Sequence, residues 1–255
     1  MKAGQILQNK KYMAKIKNHL KSDGNIKGKL ITESNGIEDK TGIEKRRENI
    51  AYLLNAILFV FGLAGLIISI LKMSPGSIFL YYTQDSNIFS MIVSFIYIIY
   101  GKKNEKPDYV KNLRFSATVC LTLTFMVVTF VLGPMYGVKT YLWLYFEGAN
   151  IFYHLLCPMI SIISFVIFEN RKRQSIRMVF IAVIPTIVYA ICLVILNVIH
   201  IVHGPYPFLY VYEQPVFMSI IWALMIPGAA LGFAFLIRAI KSRCGCNRAI
   251  ERRKD

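Results

Sequence analysis

With 255 residues, a hydrophobic fraction of 55% and a mean hydropathy of +0.48, the chain is too apolar for a water-soluble globule, and a lipid bilayer is the solvent that fits it. A formal charge of +16 would point to nucleic acid in a soluble protein. The placement of that charge along the chain excludes nucleic acid as the partner.

Residues 1–49 are polar and Lys-rich, with Gly24, Gly28, Gly36 and Gly42 interrupting any regular pattern, and are expected to form a solvated basic tail. The spacing of Ile6, Leu7, Met13, Ile16 and Leu20 offers a weak amphipathic helix on a membrane surface as the alternative. The first apolar run starts at Ile50 and is too long for the core of a cleavable signal, so it is read as a span.

Six runs approach or exceed the ~20 residues that cross a hydrocarbon core at about 1.5 Å per residue. They are residues 50–71, 78–100, 115–132, 148–168, 178–201 and 215–237, followed by a second basic tail at 241–255. The predicted fold is therefore all-α, a six-transmembrane-helix bundle occupying residues 50–240. Lys plus Arg number 12 before Ile50, then 1, 5, 1, 4 and 0 in the successive loops, and 7 after Ile237. Twenty-eight of the 30 thus fall on one alternating set of segments, which places both termini in the cytoplasm by the positive-inside bias. Membrane lipids are the expected partners, with anionic head groups drawn to the basic side.

Cys120, Cys157 and Cys192 lie inside predicted spans, where a small thiol is ordinary packing material. Cys244 and Cys246 follow the last span on the cytoplasmic side, a position suited to palmitoylation or to two plain thiols. No zinc, phosphate-loop or serine-hydrolase motif is present, so neither a metal nor a cofactor is expected.

Polar side chains are costly in a bilayer, so those inside spans should face the bundle interior. In the fourth span Glu147, Asn150, His154, Cys157 and Ser161 recur at three- and four-residue steps and are expected on one helical face. Pro158 removes the bond to the carbonyl of His154 and can bend the helix there. The second span opens with Thr83, Gln84, Asp85, Ser86 and Asn87, either a polar site at membrane depth or a local capping segment. In the fifth span Thr186, Tyr189, Asn197 and His200 share a side, with His203 just beyond. Thr118, Thr122 and Thr129 share a face of the third, and Gly228 and Gly232 form a small-xxx-small step in the last. Asp85 and His154 are expected at similar depth, roughly 10 Å from the outer ends of their spans. With His200, His203, Glu147 and Glu213 they would gather titratable groups near the outer surface, as a cavity requires.

Three blocks carry a resemblance: Tyr82-Thr83-Gln84-Asp85-Ser86-Asn87, the His154-Leu-Leu-Cys-Pro158 step, and Tyr206-Pro207-Phe208-Leu209. In order and spacing, over about residues 50–240, they resemble the androgen-induced and androgen-dependent membrane hydrolases, and more closely the bacterial six-helix relatives of that group. The animal members cleave fatty acid esters of hydroxy fatty acids with an intramembrane threonine and histidine. The resemblance implies Thr83 as nucleophile and His154 as general base, and a location in a bacterial cell membrane. Asp85 and His200 would assist, Asn87, Glu147, Asn150 and Tyr206 would complete the pocket, and a long-chain acyl ester would be the substrate. The competing expectation is a non-enzymatic transporter, lipid-binding protein or sensor in which Asp85 and His154 exchange protons or hold a cation.

Overall fold

The structure, a computed structural model, describes residues 24–251 apart from 75, 102–105, 138 and 170–173, with side chains described between residues 42 and 244. The chain divides into two units, Met1–Arg47 and Glu48–Asp255. Of the first, residues 24–47 are helical, and the apolar positions between Ile6 and Leu20 lie outside the described residues. Everything below concerns the second unit.

Among the described residues seven helices follow in order: α1 (Gly24–Lys72), α2 (Tyr82–Ile99), α3 (Asp108–Tyr136), α4 (Thr140–Phe146), α5 (Ile151–Phe168), α6 (Ile176–Val198) and α7 (Val216–Glu251). Short 3₁₀ turns at Ile78–Leu80 and Pro207–Leu209 precede α2 and α7, and no strand occurs among the described residues. Among the described residues five helices are long and apolar enough to cross a membrane: α1 over Gly42–Lys72, α3, α5, α6 and α7. The sixth expected span is the exception. Helix α2 is present, but it begins at Tyr82, so Gln84, Asp85 and Asn87 occupy its first turns and dilute its apolar character.

The apolar surface fits a bilayer. Leu71 of α1, Phe130 of α3, Ile191 and Ile195 of α6, and Phe217 and Leu224 of α7 are all more than half exposed. In water a belt of that kind would drive association, whereas in lipid it is the surface that solvates best. The chain is a multi-helix membrane protein.

Helix boundaries depart from the hydropathy boundaries where polar residues continue the helical path. The third span starts at Asp108, not Phe115, and a short helix, α4, occupies the loop after it. Two proline steps disturb the ladder. Residues Val128–Leu132 form a π-turn just before Pro134, and Ile151–Leu156 form another just before Pro158, with a third at Ser164–Phe168. A proline supplies no N–H, and an inserted i→i+5 turn re-pairs the carbonyls it leaves behind.

Helix α3 is central, packing against α2, α5, α6 and α7. Phe115, Val119 and Leu123 of α3 meet Phe165 of α5, Val179, Ala182 and Val183 of α6, and Ala230 and Ala234 of α7. The small residues that allow α7 to approach are therefore Ala230 and Ala234. Gly228 and Gly232 instead face open space, since a Cβ at either would meet nothing within 4 Å. The close glycine contacts lie elsewhere: a Cβ on Gly65 of α1 would fall 2.3 Å from the Tyr153 ring of α5.

One end of the bundle is closed by charge. Arg114, expected in a basic loop, is fully buried in α3 and donates from Nε and Nη2 to Oε1 of Glu169 at 3.0 and 2.9 Å. The same oxygen accepts from Ser164 Oγ at 2.8 Å and from Asn55 Nδ2 of α1 at 3.0 Å. Lys241 of α7, expected in the solvated tail, is buried beside this cluster, donating to Phe165 O at 2.9 Å with its ammonium over the Phe165 ring. Cys244 sits half-buried against the same core, and the side chain of Cys246 lies outside the described residues.

Burial by itself would push the Glu169 carboxyl up, but the Arg114 charge and hydrogen bonds, with help from Lys241 and Asn55, hold it below its ordinary value. A depressed folded pKa stabilises above the unfolded value and loses that contribution as pH falls through the folded one. Arg114→Ala, which strands a buried carboxylate, should therefore cost about 3–5 kcal/mol at neutral pH. Thermal unfolding in detergent should show the deficit shrinking on acidification, and an unchanged midpoint at neutral pH would refute the pairing.

Candidate functional site

A cavity of about 430 Å³ lies between α2, α3, α6, α7 and the loop carrying Tyr206. Its origin is local. Between α6 and α7, the Ala182, Val183, Ala230 and Ala234 contact lies on one side of Pro185 and Pro227. On the other side, Thr186 to Ile195 and Val216 to Ile226 supply cavity wall. A proline inside each helix, where the carbonyl one turn earlier loses its bond, is the place at which the two can part. The opposite wall is Leu123, Val127, Val128 and Leu132 of α3, and the loop closes the top with Tyr206, Phe208 and Leu209.

The cavity reaches the outside. Ile187, Ile191, Ile195, Val216 and Ile220 line it and are themselves 39–74% exposed on the apolar belt. The gap between α6 and α7 is thus open sideways, toward the surface that faces lipid.

The polar groups of the wall are hydroxyls. Tyr82 Oη and Thr186 Oγ1 pair at 2.7 Å, and Tyr189 Oη donates to Leu80 O at 2.7 Å. Thr83 Oγ1 lies 3.4 Å from Tyr206 Oη, a long contact that a ligand oxygen could replace. Burial pushes the Tyr206 phenol up to about 12, so it stays protonated and able to donate across the ordinary pH range. No Lys, Arg, His, Asp or Glu is part of the described wall.

The expected site residues separate into groups. Thr83 and Tyr206 line the cavity together, while His154 is buried outside its wall, with Nδ1 2.5 Å from Leu144 O. A carbonyl only accepts, so Nδ1 carries the proton and Nε2 keeps its lone pair. No hydrogen bond joins Thr83 to His154 among the described residues. Their helices are nevertheless tied one residue away, because Asn87 Nδ2 donates to Thr83 O at 2.8 Å and to Tyr153 O at 3.2 Å.

The face expected to run from Glu147 to Ser161 is interrupted. His154, Cys157 and Ser161 are buried, but Glu147 is exposed ahead of α5 and Asn150 donates to Trp143 O at 3.2 Å. The π-turn at Ile151–Leu156 puts an extra residue into that turn and breaks the three-and-four register. His200 lies beyond the end of α6 at φ 58°, where it ends the helix. Its N–H bonds Asn197 O, the Ile201 N–H reaches back to Leu196 O, and its ring stacks on Tyr212 at 4.5 Å. His203 and Glu213 pair at 2.5 Å on the exposed loop. Asp85 is half-buried in the first turn of α2. Thr118, Thr122 and Thr129 bond carbonyls one turn back, the packing role expected of them.

Comparison of the chain with known protein families, with curated proteins and with solved structures finds no match. The cavity and its chemistry therefore carry the functional reading. Three wall features had no signal in the sequence: Thr124, Trp222 and the lateral gap.

Tyr206→Phe should leave folding within about 1 kcal/mol of the wild type, because the hydroxyl it removes makes only two long contacts, with Oγ1 and the backbone N–H of Thr83, both at 3.4 Å. Equal thermal midpoints for the two proteins in detergent are the expected result. A loss of several kcal/mol would mean that Tyr206 is a structural strut and not a cavity group.

Proposed function

We propose that the chain is a six-span protein of a bacterial cell membrane, with both tails in the cytoplasm, that takes the acyl chain of a lipid into the cavity between α6 and α7. The observation that carries this reading is the lateral opening: residues that line the cavity are also exposed on the apolar belt. A volume of 430 Å³ falls within the ~300–1,000 Å³ of ligand pockets, and a mostly apolar wall with a few hydroxyls suits a hydrocarbon chain. For α2 as the sixth span, its 18 residues at about 1.5 Å each reach about 27 Å, close to the ~30 Å core. The placement of 28 of 30 basic residues supports the orientation.

Purified protein in a neutral nanodisc should bind a fluorescent long-chain ester saturably. Ala190→Phe, which fills the wall, should weaken that binding at least about tenfold, or 1.4 kcal/mol. Equal binding by both proteins would move the ligand elsewhere. Cysteines introduced singly into each tail should be labelled only after the membrane is permeabilised, and labelling of intact cells would reverse the topology.

Ester hydrolysis is the second reading, favoured by Thr83 on the cavity wall and by the tautomer of His154. Thr83 Oγ1 would add to the ester carbonyl carbon while Nε2 of His154 takes the hydroxyl proton. The proton would pass to the departing alkoxide, and water would release the acyl group from Thr83. Tyr206, held protonated, would donate to the oxygen that becomes negative. The resemblance to the androgen-induced and androgen-dependent hydrolases supports these roles, and Asn87 holds the two helices in register for them. Turnover of a long-chain ester should fall at least about a hundredfold in both Thr83→Ala and His154→Ala, the scale of a lost acid–base group. Full activity in either variant, with acyl binding retained, would leave a binding protein without the chemistry.

A further inference from the structure

The cavity wall carries no charge, but a carboxylate stands beside it. Asp85 lies one helical turn from Tyr82 and two residues from Thr83, both of which line the cavity. Those two residues in turn meet Tyr189, through the Tyr82 ring, and Tyr206, through the Thr83 hydroxyl. Among the described residues, its side chain makes no hydrogen bond and no ion pair.

A half-buried carboxylate without a partner is costly, at up to several kcal/mol for an ion fully taken from water. The N-terminal end of α2 returns only about 0.3–1 kcal/mol of that through the helix dipole. Among the described residues no cation pairs with Asp85: α1 reaches Gln84 through Ser69, but the ammonium of its Lys72 lies by Gly148. Tyr81 and Tyr82 precede it on α2, the Tyr81 and Tyr206 rings meet edge-to-face at 6.0 Å, and those of Tyr82 and Tyr189 at 5.1 Å. Four tyrosines beside one unpaired carboxylate make a place where a positive group gains both a Coulomb partner and aromatic neighbours.

The choice among lipid head groups follows from charge. An anionic head at this end of the cavity would lie beside a like charge with no basic residue in the wall to hold it. A neutral head would leave Asp85 unpaired. An ammonium would complete it, while the hydroxyls of Thr83 and Tyr206 remain for an adjacent oxygen. Resting on the acyl-chain reading above, we propose that the cavity selects a long-chain lipid with an amine in its head group. The ammonium sits against Asp85 and the chain runs between α6 and α7 toward Pro185 and Pro227.

The test uses three molecules of equal chain length, hexadecylamine, hexadecanol and palmitate, displacing a pyrene-labelled long-chain alcohol from the protein in nanodiscs of neutral lipid. The amine should act at a concentration at least about tenfold lower than the alcohol, with palmitate weakest. Asp85→Asn should bring the amine level with the alcohol and leave the alcohol unchanged, and Asp85→Glu should restore the preference. Each variant is checked by its helical circular dichroism and by monodisperse elution. Equal potency of amine and alcohol on the wild type would overturn the proposal while the acyl-chain reading stands. An amine advantage that persists in Asp85→Asn would overturn it too, since the selection would then come from the disc surface. If no molecule displaces the probe, the cavity reading itself fails and the amine proposal falls with it.

Discussion

The buried Arg114–Glu169 pair is the constraint on which the rest of the bundle depends. A buried carboxylate cannot be left without partners, so Glu169 takes bonds from Arg114 of α3, Asn55 of α1 and Ser164 of α5, with Lys241 of α7 alongside. Four helices are located by one charge that must be satisfied. Its directional bonds fix their rotation as well as their separation, which dispersion between apolar surfaces does only weakly. Apolar packing through Phe115, Val119, Phe165 and Val179 then completes this end of the bundle.

The opposite end is held differently, and the difference leaves room for a ligand. Around α1, α2 and α5 the contacts are close: Gln84 Nε2 donates to Ser69 Oγ at 2.9 Å, Tyr153 Oη to Gly62 O at 3.1 Å, and the Tyr153 ring covers Gly65. Around α6 and α7 the polar ties, Tyr82 Oη to Thr186 Oγ1 and Tyr189 Oη to Leu80 O, run from α6 to α2 and the turn before it and not from α6 to α7, and Pro185 and Pro227 stand where the contact between α6 and α7 gives way. The cavity thus opens where α6 is tied to α2 and not to α7, beside a proline in each of the two helices.

Chemistry and charge are segregated along the same axis. The buried basic residues belong to the Glu169 end, where they are matched, while the cavity end has hydroxyls and one unmatched carboxylate, Asp85. Protonated Tyr206 beside Thr83 supplies a donor that needs no net charge, which suits an apolar site. His154 is held in a single tautomer by Leu144 O and is buried on α5 with Cys157 and Ser161, while Glu147 and Asn150 leave that face. The histidine is not part of the cavity wall.

The sequence by itself determined the apolar, helical class and located five of the six expected spans, with an end that moved by seven residues at Asp108, because transfer of apolar residues into lipid is a local and additive property. It also identified Thr83, Asp85, Asn87 and Tyr206 as unusual, since polar side chains stand out against an apolar run. Tertiary structure alone decided what those residues meet. The partners of Glu169 lie 5, 55 and 114 positions away in the chain, and such separations leave no periodic trace. Arg114 and Lys241 look like ordinary flanking charges until a facing helix buries them. The face of α5 could not be read from three- and four-residue steps, because a proline-linked π-turn alters the count. The cavity itself is a space between helices, set by where α6 and α7 stop touching, and an unfilled volume has no residue of its own to announce it.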